Sequence, residues 1–585
     1  MRYYFKLDYN IADPIEVDFA KRELQGLFPG ELKSIRNFGD ALVEPPLRTM
    51  IPLRIHDYLL RSLCYGETHG FESDIDTVDI SELVRRLAYT REIYVVSSLD
   101  DSEPNHFLEQ IYPNANIGVD TQIFHRSGLS TCAFRIIAHT YLLEGMSAVV
   151  KFSAAKTKER QLERVRENVD RLIQHTQKGV NYIPLHPGAT LYKEVEDLFD
   201  ERKEEKLYVS HRFGPPYKAK FHPRMVKSVM NYIGIKGGDP VLDPFVGSGT
   251  TAIECALIGI DSVNVDISPE CVLATRAKIA ALHVNLNDLD RGIKQVLSRA
   301  LEPVTIPDWL REEYPKDPHV PTIYRLKQQI SQIENPEIQD LLMSTLSKVT
   351  SKVMHERTKQ EPIEAFEDEA FQVYKTAYAF HQLKMKLNLR LGNATVHRGD
   401  ARTLPEIGDS SIAGIVTSPP YSTAVDYIRN DLPMLRIIHA VPLDELHRNM
   451  MGNPRLKNNE GLVSDILADT GEFATLPDDS KKAVSELVGS DRKLLALRQV
   501  KFLIDMKKAL TQMFRVLKPS KTCVIIIGSN NFQTRKGPME FKNAEYIYEI
   551  GSRIGFDKSE IIKRTLIKTS YGAIRHESLV VLKKP

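Results

Sequence analysis

At 585 residues the chain is too long for one hydrophobic core, so about two to four domains are expected. Its composition, 42% hydrophobic and 26% charged, is that of folded globular protein and excludes wholesale disorder. Lys+Arg number 78 against 77 Asp+Glu, a formal net charge of +1, so contact with a polyanion requires a local basic surface.

The opening "MRYYFKLDYNIADPIEVDF" carries acids and no long apolar run, which is unlike a signal peptide. No apolar stretch reaches the roughly 18 residues needed to cross a bilayer. The five cysteines (Cys64, Cys132, Cys255, Cys271, Cys523) form no CxxC pair, and no His/Cys cluster has metal-ligand spacing. The expectation is a soluble, cytoplasmic protein with reduced thiols and no metal.

Residues 1–190 read as a small N-terminal α/β domain. "RYYFKL" suits a strand; "EVDFAKRELQGLF" has helical spacing at Val17, Ala20, Leu24 and Leu27; "ISELVRRLAYT" is a helix leading into the strand "EIYVVSS". "ERQLERVRENVDRLI" lines up Leu162, Val165, Val169, Leu172 and Ile173 as a packing face. The mixed-charge run "EVEDLFDERKEEK" reads as a helical connector at the domain boundary.

From 208 to 585 strands alternate with helices. "DPVLDPFVGSGTTAIECALIGIDSVNVDIS" is strand, glycine turn, helix and second strand; "ATVHRGDART" gives a third and "SIAGIVTSPPY" a fourth. A helix and fifth strand follow in "LTQMFRVLKPSKTCVIIIGS", and "HESLVVLKKP" is a late strand. This alternation predicts an α/β fold with a doubly wound, mostly parallel, Rossmann-like sheet. Segments at about 282–390 and 422–500 are too long for plain loops and are expected to be ordered insertions, the first helix-rich.

In "DPFVGSGTT", Asp243, Phe245, Gly247, Gly249 and Thr250 stand where a buried strand turns into a helix. The glycines permit a tight turn and close backbone approach to a ligand. No Lys-Ser/Thr follows, which excludes a P-loop. Asp266 closes the second strand, 23 positions after Asp243, where it can accept from ribose hydroxyls; Asp400 closes the third and can accept from an adenine amino group. Three acids at successive strand ends suit a phosphate-free nucleoside cofactor better than a dinucleotide. Taken alone, the glycine turn is equally well a structural connection. The fourth strand ends at Ser418, Pro419, Pro420 and Tyr421, where the prolines prevent continuation of helix or sheet.

"DPFVGSGTT" together with "TSPPY" resembles the S-adenosylmethionine-dependent amino-methyltransferases that modify cytosine N4 or adenine N6 in DNA, over about 208–281, 391–430 and 500–585. "KAKFHPRMVKSVMNYI" is similar to the family segment that closes over the methionine end of the cofactor. The resemblance implies S-adenosyl-L-methionine as cofactor, bound by Asp243, Phe245, Gly247, Gly249, Thr250, Asp266 and Asp400, with Ser418, Pro419, Pro420 and Tyr421 catalytic. Ser418 and the Pro419 carbonyl would accept the two amino hydrogens and localise the nitrogen lone pair, and Tyr421 would stack an extruded base.

Serine at the head of the motif resembles the cytosine-N4 branch. The implied function is site-specific DNA cytosine-N4 methylation, within a restriction–modification system and with a cognate restriction endonuclease as partner. Adenine-N6 methylation of DNA is the nearest alternative. A second class is RNA methylation, since "RLAYTREIYVV" resembles the leading domain of tRNA guanine-N2 methyltransferases. A third, a catalytically idle nucleic-acid scaffold, fits intact motifs poorly. DNA is favoured over RNA. The cofactor motif precedes the catalytic one, the reverse of many cytosine-N4 enzymes, which leaves the target-recognition region unplaced. His222 is a candidate for the cofactor pocket, Asp426 for a helix-start acid and Trp309 for packing. "HRNMMGNPRLKNN", with His447, Arg448, Arg455 and Lys457, is the candidate phosphate-contacting loop.

Overall fold

The computed structural model describes residues 1–8, 11, 14–43, 69–99, 104–113, 119–126, 129–177, 208–214, 220–355, 360–420, 427–451, 460–490, 492–534, 537–565 and 576–585. The connector predicted in "EVEDLFDERKEEK" and the side chains of Tyr421, Asp426, Arg455 and Lys457 lie outside these residues.

The chain begins with β1 (Arg2–Leu7), α1 (Pro14–Leu27), β2 (Lys33–Ile35), β3 (Gly70–Asp74), α2 (Ser81–Arg86) and β4 (Thr90–Leu99), then the hairpin β5 (Val119–Arg126) and β6 (Leu129–Ile137). The sheet order is β2-β3-β1-β4-β6-β5, antiparallel throughout. Its first four strands and two helices therefore make a ferredoxin-like β-α-β-β-α-β unit, extended at one edge by a hairpin. α1 buries Phe19, Ala20 and Leu24; Val17 and Leu27, which the apolar spacing groups with Ala20 and Leu24, are partly buried against the same core.

α3 (Lys158–Gln177) buries Val165, Val169 and Ile173 in a cluster that joins Leu143, Met146 and Val150 of the first unit to the second. Its partners include Leu257, Phe380 and Leu383.

The second sheet follows α4 (Pro223–Tyr232). β7 (Val241–Asp243), α5 (Thr250–Leu257), β8 (Ser262–Asp266) and α6 (Pro269–His283) come first. The first insertion contributes α7 (Leu286–Ser298), α8 (Val320–Ile330), α9 (Pro336–Met354) and α10 (Pro362–Lys386), helix-rich as expected, with half-buried Trp309 packed against their core under the Arg436 guanidinium. β9 (Ala394–Arg398) and β10 (Ile412–Thr417) follow. The second insertion includes α11 (Leu443–Asn449) and leads to α12 (Lys493–Val516), β11 (Leu517–Gly528), a small hairpin of β12 (Asn530–Thr534) and β13 (Gly537–Phe541), α13 (Asn543–Ile554), β14 (Asp557–Thr565) and β15 (His576–Lys583).

The order is β9-β8-β7-β10-β11-β15-β14. β7 to β11 run parallel, and β15 is inserted antiparallel between β11 and β14. β10 is buried at every position, as a central parallel strand must be. This is the doubly wound, Rossmann-like sheet that the sequence predicts; β14 and the β12–β13 hairpin were not foreseen. Strand order reverses between β7 and β10, with β8 and β9 on one side and β11 on the other, which makes the cleft beyond their carboxyl ends the place for a ligand.

The two sheets share one core. Phe5, Phe19, Leu24 and Ile93 pack in a continuous cluster with Met225, Val229, Val416 and Ile526. α1 crosses α4 so closely that a Cβ on Gly26 would stand 2.2 Å from the Asn231 carbonyl oxygen. Around this crossing Asn231 donates to Glu23 (3.0 Å), Arg86 donates to Asn231 (3.0 Å), and Arg224 bridges Glu144 (2.9 and 2.6 Å) and Asp8 (2.8 Å). Further out, Arg22 pairs with Glu560 and Arg564 with Glu16, each at 2.7 Å. Removing one partner of the buried Arg224 cluster would strand the other charge, so these contacts hold the docking in one register.

Candidate functional site

The strand ends converge at the carboxyl edge of the parallel sheet. Asp243 ends β7, Asp266 ends β8, Asp400 follows β9, and Ser418 follows β10. β7 pairs with both β8 and β10, so the cofactor and catalytic motifs lie on adjacent strands.

Asp243 is only 2% exposed. Its Oδ1 accepts the Thr417 hydroxyl at 2.5 Å and the Phe245 amide at 3.1 Å. It therefore braces the glycine turn and joins it to the last residue of β10. Asp266 is half-buried and accepts the Gly247 amide (2.9 Å) on Oδ2 and the Ser268 amide (2.9 Å) on Oδ1, keeping lone pairs for a ligand. Burial raises both acids to about 6, against the hydrogen bonds that favour their ionised forms.

Gly247 and Gly249 have φ of 51° and 85°, the left-handed region that glycine enters without strain. A Cβ on Gly249 would lie 2.9 Å from Thr275 Oγ1, so the turn can seat against α6 only with glycine there. Phe245 is half-buried beside the turn and Thr250 opens α5.

Asp400 is bound bidentately by Arg402, Nε to Oδ1 at 2.9 Å and Nη2 to Oδ2 at 2.6 Å. Burial would push its carboxyl up, but the Arg402 guanidinium and amide hold it below the usual range. The sequence reading leaves this acid free; in the structure part of its acceptor capacity is already taken. Arg402 also donates to Asp505 (3.0 Å) and the Asn449 carbonyl (2.8 Å), tying the second insertion over the end of β9. A second tie joins His439 to Glu270 at 2.8 Å, four residues beyond Asp266. Burial first, then the Cys271, Asp266 and Asp431 charges, push the Tyr427 hydroxyl up to about 12, which sets the start of this insertion beside Asp266.

Ser418 and Pro420 are half-buried and Pro419 buried, directly beyond β10; Tyr421 lies outside the described residues. His222 caps α4 and stacks edge-on against Tyr208, and burial holds its imidazole well below the ordinary value. His447 is buried on α11, while Arg448 is exposed. Cys255, Cys271 and Cys523 are buried and form no disulfide among the described residues. Among the described residues no group of three or more His, Cys, Asp or Glu could hold a metal ion, and no helix is long and apolar enough to cross a membrane.

Sequence reasoning passed over three groups that shape this site: Arg402, Thr417 and the pair Thr275 and Lys278. The last pair carries a readable signal, two polar residues at i and i+3 in a helix buried along most of its length.

Comparison with known proteins agrees with this geometry. A DNA methylase family model, covering N6 and N4 methyltransferases, matches residues 137–276, which include the glycine turn and Asp266. The type II methyltransferase M.BsoBI of Geobacillus stearothermophilus is 27% identical over 254 residues, 36% of this chain and 50% of the relative. M.MvaI of Kocuria varians is 22% identical over 317 residues, 47% of this chain and 67% of the relative. The tRNA (guanine(10)-N2)-dimethyltransferase of Methanothermobacter thermautotrophicus is 34% identical over 74 residues, 13% of this chain and 21% of the relative. The matched segment carries the glycine turn and Asp266, on strands adjacent to the one that ends at Ser418. Over these segments the chain is similar to DNA methyltransferases, and it spans half the length of M.BsoBI.

Proposed function

We propose that the chain methylates an exocyclic amino group of a base in DNA, cytosine N4 in the first instance, with S-adenosyl-L-methionine as cofactor. The observation that carries this reading is the Thr417–Asp243 hydrogen bond, which couples the Ser-Pro-Pro segment to the glycine turn at the switch point of the sheet. The residues present suit the cofactor. Asp266 retains acceptor capacity for ribose hydroxyls, and the left-handed turn at Gly247 and Gly249 leaves the Ser248 amide without an acceptor among the described residues. When bound, the cofactor supplies a methyl group activated by a sulfonium.

The chain's own residues do the rest. An aromatic amino nitrogen is a weak nucleophile because its lone pair is delocalised into the ring. Ser418 Oγ and the Pro419 carbonyl accept its two hydrogens, favour a pyramidal nitrogen, and stabilise the positive charge that grows on it. Proline at 419 and 420 removes two competing N–H donors. Tyr421 supplies the face on which the extruded base stacks.

Serine in first position favours cytosine N4 over adenine N6. The likeness to type II methyltransferases supports a site-specific, cytoplasmic enzyme of a restriction–modification system with a cognate endonuclease. A second reading, methylation of guanine N2 in tRNA, draws on the short stretch shared with the archaeal tRNA enzyme. Incubation with methyl-labelled cofactor and either duplex DNA or tRNA, followed by nucleoside identification, decides between them. N4-methylcytosine is expected; N6-methyladenine or N2-methylguanine would replace this reading, and no label in any base would end it.

A further inference from the structure

Behind the glycine turn lie two polar side chains that the reaction does not use. Thr275 and Lys278 both project from α6, Thr275 fully buried and Lys278 2% exposed. Thr275 Oγ1 donates to the Gly247 carbonyl at 3.3 Å, and the Lys278 amine donates to the Ser248 carbonyl. No carboxylate pairs with Lys278 among the described residues; Lys220 and Cys271 are the ionisable groups that act on it, and burial brings its ammonium down to about 7. A lysine buried at such cost, with a backbone carbonyl as its partner, needs a reason to be there.

Peptide geometry supplies one. In a trans peptide the carbonyl and the N–H point in opposite directions. Holding the Gly247 carbonyl against α6 therefore turns the Ser248 amide away from α6. Holding the Ser248 carbonyl turns the Gly249 amide inward, where it bonds the Val246 carbonyl at 2.9 Å. The other amides of the turn are also taken: Phe245 by Asp243, Val246 by the Val265 carbonyl, Gly247 by Asp266. Ser248 is left as the one amide of residues 245–249 without an acceptor among the described residues, beside the first turn of α5, whose dipole favours an anion.

We propose that Thr275 and Lys278 are positioning residues of the cofactor site, which hold two successive carbonyls from behind so that the Ser248 amide faces the carboxylate end of the ligand. This rests on the reading of the turn as an S-adenosylmethionine site and adds the residues that set its selectivity for the amino-acid tail.

Calorimetry with two ligands separates the roles. S-adenosylhomocysteine carries the carboxylate tail and 5′-methylthioadenosine lacks it, while both keep the nucleoside. Thr275→Val, which is isosteric, and Lys278→Met should weaken S-adenosylhomocysteine about tenfold or more, as loss of one hydrogen bond would, and leave methylthioadenosine within about twofold. Thr275→Ser, which restores the hydroxyl, should bind both ligands as the unaltered protein does. Equal losses for the two ligands, or no loss for either, overturn the proposal, as does a Thr275→Ser variant as defective as Thr275→Val. If the unaltered protein binds neither ligand, the cofactor reading itself falls and this inference with it.

Discussion

Thr417 donates its hydroxyl to Asp243 at 2.5 Å, and through this bond the last residue of β10 reaches the acid that braces the glycine turn. Both residues are buried, so neither partner has water as a substitute. Thr417→Val keeps shape and removes the donor, which should cost about 1–2 kcal/mol in urea unfolding, with Thr417→Ser close to unaltered. A valine variant of full stability would deny the bond its bracing role.

Asp243 and Asp266 give the protein a distinctive pH response. Each is raised to about 6, above the unfolded value of roughly 3.9. A carboxyl raised in this way holds its proton longer in the native state, so stability falls as pH rises from about 4 to about 6 and is level above. The two-unit difference corresponds to roughly 3 kcal/mol for each acid. Affinity for the cofactor should move the opposite way, because ribose hydroxyls donate to ionised Asp266; below pH 6 it should fall by up to about tenfold per unit. Thermal unfolding and calorimetry across pH 5–8 check both slopes, and parallel slopes would contradict the assignment.

Ser418→Ala should leave cofactor affinity unchanged and slow methyl transfer about 100-fold or more, the usual cost of removing one hydrogen-bonding partner of the transition state. Single-turnover transfer at saturating cofactor is the measurement. Transfer at the unaltered rate would remove Ser418 from the chemistry.

Arg402 neutralises Asp400 and contributes to the pairing of Asp505, which Lys501 shares at 2.7 Å. Arg402→Met should destabilise the fold by about 1 kcal/mol, since Asp400 is partly exposed and Asp505 keeps Lys501. It should also raise the Asp400 pKa, observable by carboxyl-carbon NMR titration; an unmoved titration would show that Arg402 does not set the charge of this acid.

Gly26→Ala places a methyl group where the Asn231 carbonyl already stands, against backbone that has no side chain to rotate away. A loss of about 1–3 kcal/mol is expected from this overpacking. Hydrogen exchange should show it in both α1 and α4; a loss confined to α1 would mean that the two units are not coupled at this crossing.

Much of the parallel sheet is legible because its signals are local: β7 and its glycine turn, Asp266 at the next strand end, and the proline pair closing β10 each occupy a few consecutive residues. β14 was not read because "DKSEIIKRT" mixes charge with only two isoleucines and becomes a strand through its pairing with β15. Residues 1–190 read as α/β but not as containing a ferredoxin-like unit, since order β2-β3-β1-β4 is set by pairings between distant segments. The candidate site divides the same way. Its acids and glycines stand in contiguous motifs, whereas Arg402 acts through contacts that spacing does not encode, and the i, i+3 spacing of Thr275 and Lys278 does not tell which carbonyls they hold. Thr417 stands inside "TSPPY", but its partner is 174 residues away.

The docking at Gly26 constrains how such a chain can diversify. A unit tethered by a linker can be exchanged like a cassette. Here Asp8, Glu16 and Glu23 are the partners of Arg224, Arg564 and Asn231 on the opposite side of a common core. A foreign N-terminal third grafted onto the parallel sheet would leave Arg224 and Arg564 without those counter-charges and Asn231 without its acceptor. Exchange of either half would therefore require matching changes on both sides of this docking surface.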